Sequence, residues 1–224
     1  MDSRYETCRA NLELLAAYHV DAERDRNEAT TRLQLIDRLF FECLGWSRET
    51  DVELEQSQDG EYADYTFSAP RRIMIVEAKR EGKYFEVPAG DNRLIVKLAT
   101  ICRDNADLKA AVEQAMGYCQ RRGVPIGVVA NGHQLMAFLA VRTDGIAPME
   151  GQVLVFPSFQ FMSTHFLRLW QGLSRPGMKR STYKRNSWAT HSLSFRPSSR
   201  RRFTTIPGSR RVISFRRTSK SWRS

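Results

Sequence analysis

Three charged residues stand where a strand is ordinarily apolar. In Val76-Glu77-Ala78-Lys79 an acid and a base follow the apolar run Ile73-Met74-Ile75, and Asp64 precedes Glu77 with 12 residues between them. The side-chain period of two in an extended chain puts Ile73, Ile75, Glu77 and Lys79 on one face and Met74, Val76 and Ala78 on the other. Ionised groups at a half-buried strand end need a partner or a metal. Two carboxylates and an ammonium converging on one point suit magnesium, which takes few protein oxygens and keeps waters and phosphate oxygens. Phosphodiester hydrolysis needs that arrangement: the metal activates water and neutralises developing charge, and a fixed cation, here Lys79, orients the water or helps deprotonate it. A Glu-x-Lys pair alone is more often a solvated cross-strand pair. Its company with Asp64 and Glu28 points to chemistry.

The elements that position these residues are legible. Leu33, Ile36, Leu39, Phe40, Cys43 and Leu44 recur at spacings of three and four, which predicts one helix from Asn27, a cap, to Leu44, with Gly45 ending it. On that helix Glu28 falls on nearly the same face as Leu35 and Leu39 and would reach inward to complete a metal shell. Tyr5 to Tyr18 predicts an earlier helix. A strand around Glu49 to Gln56 is allowed, and Tyr62–Ser68 and Arg72–Lys79 read as strands joined at Ala69-Pro70-Arg71. Asp104–Arg122 predicts a helix ended by Gly123; Pro125–Ala130 and Gln134–Val141 predict strands flanking an Asn131-Gly132 hairpin turn. Gln152–Phe156 adds a strand and Phe159–Leu173 a last amphipathic helix. The order ααβββαβββα argues for an α/β fold, a mixed sheet with helices on both faces.

Composition sets limits. The chain has 224 residues, 42% of them hydrophobic, enough for one domain with a core. Its net charge of +10 is unevenly placed: residues 175–224 hold 15 Lys/Arg, 11 Ser and no acid, so residues 1–174 carry 20 basic against 25 acidic residues, a net of −5. The expected division is therefore a domain over 1–174 and a disordered, basic Ser/Arg-rich tail over 175–224. The tail reads either as an arm adding sequence-independent phosphate affinity or, the favoured reading, as a frameshifted end replacing an original continuation. Cys8, Cys43, Cys102 and Cys119 lack CxxC spacing and no secretory leader precedes them, so a reduced, cytoplasmic location is expected. No apolar run approaches the length of a membrane span. The four histidines lack zinc-ligand spacing, and there is no G-x-S-x-G turn.

Asn27-Glu28-Ala29, Ala63-Asp64-Tyr65, Val76-Glu77-Ala78-Lys79 and the helical pair Gln114 and Tyr118 occur in an order that resembles the PD-(D/E)XK nucleases. Gln114-x-x-x-Tyr118 narrows the resemblance to the N-terminal nuclease domain of type I restriction enzyme R subunits, and Gly127-Val128-Val129-Ala130-Asn131-Gly132 looks like the strand and turn that follow there. The likeness covers roughly residues 20–160. Ala63 stands where the motif has proline, a departure the family tolerates. The resemblance implies a restriction-endonuclease-like fold and a magnesium-dependent DNA endonuclease of restriction-modification or defence type, with manganese a substitute ion. Asp64, Glu77, Glu28 and Ala78 would be the metal ligands, Lys79 would join the acids in catalysis, and Gln114 and Tyr118 would form the substrate-side wall. R subunits continue into an ATP-driven translocase; here the only Gly-Lys, Gly82-Lys83, is followed by Tyr84, so no P-loop and no ATP site is present. The implied partners are DNA, missing translocase or specificity subunits, or a second copy of the chain. A non-catalytic nucleic-acid-binding or docking remnant of such an R-subunit-like protein is the alternative.

Overall fold

The computed structural model describes residues 3–18, 26–58, 61–83, 85 and 94–181. Helix α1 (Ser3–Tyr18) leads into α2 (Glu28–Thr31), which continues through two segments of wider, π-type turns, Arg32–Ile36 and Arg38–Cys43. Strands β1 (Val52–Gln58), β2 (Glu61–Ser68) and β3 (Arg72–Ala78) form a meander, with a cis Ala69–Pro70 peptide between the last two. Then follow β4 (Ile95–Lys97), α3 (Leu98–Cys102) and α4 (Ala106–Arg122). Strands β5 (Ile126–Ala130), β6 (Leu135–Leu139) and β7 (Gln152–Phe156) precede α5 (Phe159–Thr164), α6 (Phe166–Leu173) and α7 (Arg175–Ser181). The strands make one open sheet in the order β1-β2-β3-β5-β6-β7-β4. All neighbours are antiparallel except β3 and β5, which α3 and α4 join by crossing one face.

The expected mixed α/β core with helices on both faces is what the chain forms. Alternation along the central strands divides the core in two. Met74, Val76, Val128 and Ala137 pack with α1, the α2 region, α5 and α6, whereas Ile75, Val129, Met136 and Phe138 pack with α3 and α4. Asn105 caps α4 by accepting from the Leu108 N–H at 2.9 Å, and Gly123 ends it with φ +63°.

Several expectations need correction. The helix predicted from Asn27 to Leu44 keeps its cap, Asn27 Oδ1 accepting from the Thr30 N–H, but only its first turn is α-helical. The wider turns rotate the chain off the 3.6-residue period. Leu33, expected inside, is consequently 61% exposed, and Leu35 and Ile36 are fully buried. Asn131-Gly132 does not form a two-residue turn: Ala130 pairs with Leu135 across a four-residue loop in which Asn131 Oδ1 accepts from the N–H groups of His133 and Gln134. Gly132, at φ +90°, lies where a Cβ would sit 2.5 Å from Leu35. The predicted final helix breaks at His165. Strand β4 and α3 were not predicted; three residues at a sheet edge carry too little periodicity.

Nor does ordered structure stop at Ser174. Arg175 opens α7 and its guanidinium donates to Asp51 Oδ2 at 2.6 Å; although burial opposes the charge on Asp51, this bond and that from the Ser47 N–H hold its carboxyl below the usual range. Met178 is fully buried in the α1/α6 core. The rest of the basic stretch, residues 182–224, lies outside the described residues. Met178→Ala in the intact chain is expected to cost about 2–4 kcal/mol by chemical denaturation; an unchanged midpoint would mean that α7 adds nothing to the core.

Candidate functional site

Strand β3 ends where two strands part. Tyr65 still pairs with Val76, but beyond it the ladder to β2 stops, while β3 stays in parallel register with β5 through Ala78 and Ala130. The freed Ala78 N–H is taken by a side chain: Asp64 Oδ2 accepts it at 2.8 Å. Asp64 is thereby fixed at the fork, and the Lys79 N–H donates to Ala130 O at 2.8 Å, fixing the other side. The period-two reading of Glu77 and Lys79 holds, because both meet the α4 side of the sheet.

Glu77 is 3% exposed. Its Oε1 accepts from Lys79 Nζ at 2.6 Å, while its Oε2 is buried and has no hydrogen-bond partner. Burial pushes the carboxyl up to about 7 despite the Lys79 bond, and the charges of Asp64 and Glu28 add to the effect. Lys79 Nζ also donates to Gln114 Oε1 at 3.1 Å, and Gln114 Nε2 donates to the Tyr118 hydroxyl at 3.0 Å. The i, i+4 spacing of Gln114 and Tyr118 on α4 thus produces a relay ending on Lys79. Asp64, Glu77, Lys79, Gln114 and Tyr118 all meet at one corner of the sheet.

Glu28 does not join them as expected. It is exposed, and among the described residues no three acid, histidine or cysteine side chains converge as a metal shell. Its inward position was inferred from an α-helical period running to Leu35 and Leu39, which the wider turns interrupt. Its charge still reaches Glu77. Ala78 has only its main-chain carbonyl to offer.

Two features escaped the sequence reading. Arg32 Nη1 lies 3.4 Å from Asp64 Oδ1, with its guanidinium over the Tyr65 ring at 4.9 Å, and the Tyr65 hydroxyl donates to Asp37 Oδ1 at 2.7 Å. The second is a buried network around Glu81, which is 0% exposed. Arg26 Nη1 donates to Glu81 Oε1 at 2.7 Å, His133 Nε2 lies 2.6 Å from the same oxygen, and the Glu81 N–H donates to Thr31 Oγ1 at 3.1 Å. Burial opposes the charge, but the His133 and Arg26 contacts hold the Glu81 carboxyl below its usual range. Beside it Gln134 clamps Phe85, accepting from its N–H at 2.7 Å and donating to its carbonyl at 2.9 Å. This network ties the start of α2 and the β5–β6 loop to the segment after Lys79. No local motif foretells it, since its members come from three distant segments.

Comparison of the chain with known protein families, with curated proteins and with solved structures returns no match.

The Glu77 carboxyl yields a signed expectation. A group raised from 4.5 to about 7 holds a proton in the folded chain that the unfolded chain has lost, so its contribution to stability falls as pH rises between those values and is level above them. The span corresponds to about 3 kcal/mol. Denaturation at pH 5 and pH 8 should show Glu77→Gln losing less stability than the intact protein by about that amount. Equal losses in the two proteins would show that Glu77 is not penalised by burial.

Proposed function

We propose that the chain is a metal-dependent deoxyribonuclease with a restriction-endonuclease-like core, hydrolysing phosphodiester bonds at the Asp64–Glu77–Lys79 corner. The observation that carries this reading is the buried, unpartnered Oε2 of Glu77 beside the fixed carboxylate of Asp64. A buried carboxylate oxygen without a donor costs free energy that a divalent cation would recover. The donor set fits magnesium, or manganese in its place: Asp64, Glu77 and the Ala78 carbonyl offer hard oxygens, and the remaining positions would go to waters and a phosphate oxygen. When bound, the ion would supply Lewis acidity toward the phosphate and the water. Glu28, exposed beside the site, would contribute charge rather than a third fixed ligand.

The chain's own residues perform the rest. Lys79, held between Glu77 and Gln114, presents a fixed cation where the attacking water and a non-bridging phosphate oxygen would lie. Gln114 sets the ammonium's direction and Tyr118 sets the amide's, so both act as positioning residues for Lys79. Four free, buried cysteines suit a reducing cytoplasm. No helix among the described residues is long and apolar enough to cross a membrane. The resemblance to type I R subunits adds DNA as the substrate and a translocase, a specificity subunit or a second copy as partners.

A second reading, a non-catalytic nucleic-acid-binding or docking module, draws on one observation: Arg32 already contributes a positive charge to Asp64. The two readings part in a cleavage assay. Supercoiled plasmid incubated with the intact protein should be nicked or linearised with magnesium and left whole in EDTA, and Asp64→Asn or Lys79→Ala should lower the rate at least about a hundredfold. Folded proteins that leave the plasmid intact with and without magnesium would favour the docking module.

A further inference from the structure

The wider turns that carry the α2 region off the helical period have a specific effect at Arg32. The Asp37 N–H donates to the Arg32 carbonyl, a bond that reaches five residues back. On an α-helix residues three and four apart are neighbours and residues five apart are not; the longer bond stacks Arg32 and Asp37 on one face. Both side chains then meet Tyr65, which is 1% exposed. The Arg32 guanidinium lies over the Tyr65 ring with its Nε 3.4 Å from the hydroxyl, and that hydroxyl donates to Asp37 Oδ1 at 2.7 Å. On the far side Asp37 Oδ2 lies 3.6 Å from Arg48 Nη2, and the Arg48 guanidinium covers Phe41 at 4.7 Å. A row of alternating charge thus runs in from Arg48 and ends with Arg32 Nη1 3.4 Å from Asp64 Oδ1.

We infer that Arg32 is a counter-cation built into the metal site, sharing Asp64 with the divalent ion and so lowering the affinity with which that ion is held. This rests on the corner taking a cation, as proposed above, and it adds a residue that neither the motifs nor the resemblance supplied. The contact gives Asp64 charge more than direction. At 3.4 Å it is at the long end of hydrogen bonding, whereas the 2.8 Å bond from the Ala78 N–H aims the carboxylate. Arg32 and Asp64 are 17% and 16% exposed, so water and salt screen the pair less than they would at an open surface. Lys79 stands in the same relation to Glu77 at 2.6 Å, and each acid of the corner therefore has a protein cation beside it. A divalent ion entering between the two acids meets both positive charges. This repulsion acts through space, so removing the Arg32 charge strengthens the pull on the ion whatever other groups the guanidinium touches. The braced position matters for the same reason: stacked on a buried ring and followed by Asp37, the guanidinium is held close to Asp64 instead of swinging into water. An ion opposed in this way is exchangeable, taken up and released by a folded protein. Arg32 acts through Asp64 and is a positioning and affinity-setting residue, not a catalytic one.

The test is calorimetric titration of manganese chloride into the full-length protein and three variants. Arg32→Met and Arg32→Gln both remove the charge, one with an apolar and one with a polar side chain, so that a folding failure of either leaves the other; Arg32→Lys keeps the charge. Each charge-removing variant is expected to bind manganese about tenfold more tightly than the intact protein, a direction that damage to the fold would not produce. Arg32→Lys should restore the intact affinity to within about threefold. Unchanged or weaker binding in Arg32→Met and Arg32→Gln, beside clear binding by the intact protein, would overturn the role of Arg32 and keep the cation site. Arg32→Lys binding as tightly as Arg32→Met would overturn it too, because shape and not charge would then set the affinity. Manganese bound neither by the intact protein nor by any variant would remove the cation site and Arg32's role together. Tighter binding in charge-removing variants of a protein that leaves plasmid whole would keep the counter-cation and remove the hydrolysis.

Discussion

A carboxylate buried at a fork in the sheet is the constraint around which this molecule is arranged. Strand β3 runs between β2 and β5 but pairs with β2 only as far as Val76, and just past that point Glu77 is carried inside with one oxygen on Lys79 and the other on nothing. Removing such a charge from water is expensive, and one ammonium at a partly exposed position offsets it incompletely. The neighbourhood makes matters harder, because Asp64 and Glu28 add negative charge instead of relieving it. A buried oxygen so poorly compensated is stable only at a cost, and costs of this kind concentrate where chemistry is done.

The scaffold bears that cost by over-determining the positions around the fork. Asp64 replaces a lost ladder bond by accepting the Ala78 N–H, and the Lys79 N–H is held by Ala130. Two residues beyond Lys79, Glu81 anchors both Arg26 and His133, so the segment that leaves the site is bonded to the start of α2 and to the β5–β6 loop. Glu81 makes an instructive contrast with Glu77: both are buried glutamates, but the donors around Glu81 hold its carboxyl below the usual range, whereas burial pushes the Glu77 carboxyl up to about 7 despite its single ammonium. The first is a structural anchor; on the proposed reading the second would take a cation.

Most of the central sheet was legible because its strands are short, apolar and set off by turn residues, and β7 was read to the residue. The pairing of Glu77 with Lys79 was legible for the same reason, since a period of two cannot be disguised. What failed were positions that depend on the helical period or on distant contacts. Leu33 and Glu28 were assigned inward by a 3.6-residue repeat that the wider turns of the α2 region interrupt. Arg175 and Met178 were assigned to the tail by composition, although one bonds Asp51 and the other fills the core. The Glu81 network joins residues by tertiary packing, for which a single sequence has no local signature.

The central claim is that the Glu77–Asp64 corner is a divalent-cation site. Calorimetric titration of magnesium, and then manganese, into the full-length protein tests it without relying on turnover. Binding at a single site, lost in Glu77→Gln and in Asp64→Asn while both variants remain folded, is the expected result. Binding that survives both substitutions, or no binding by the intact protein, would contradict the account.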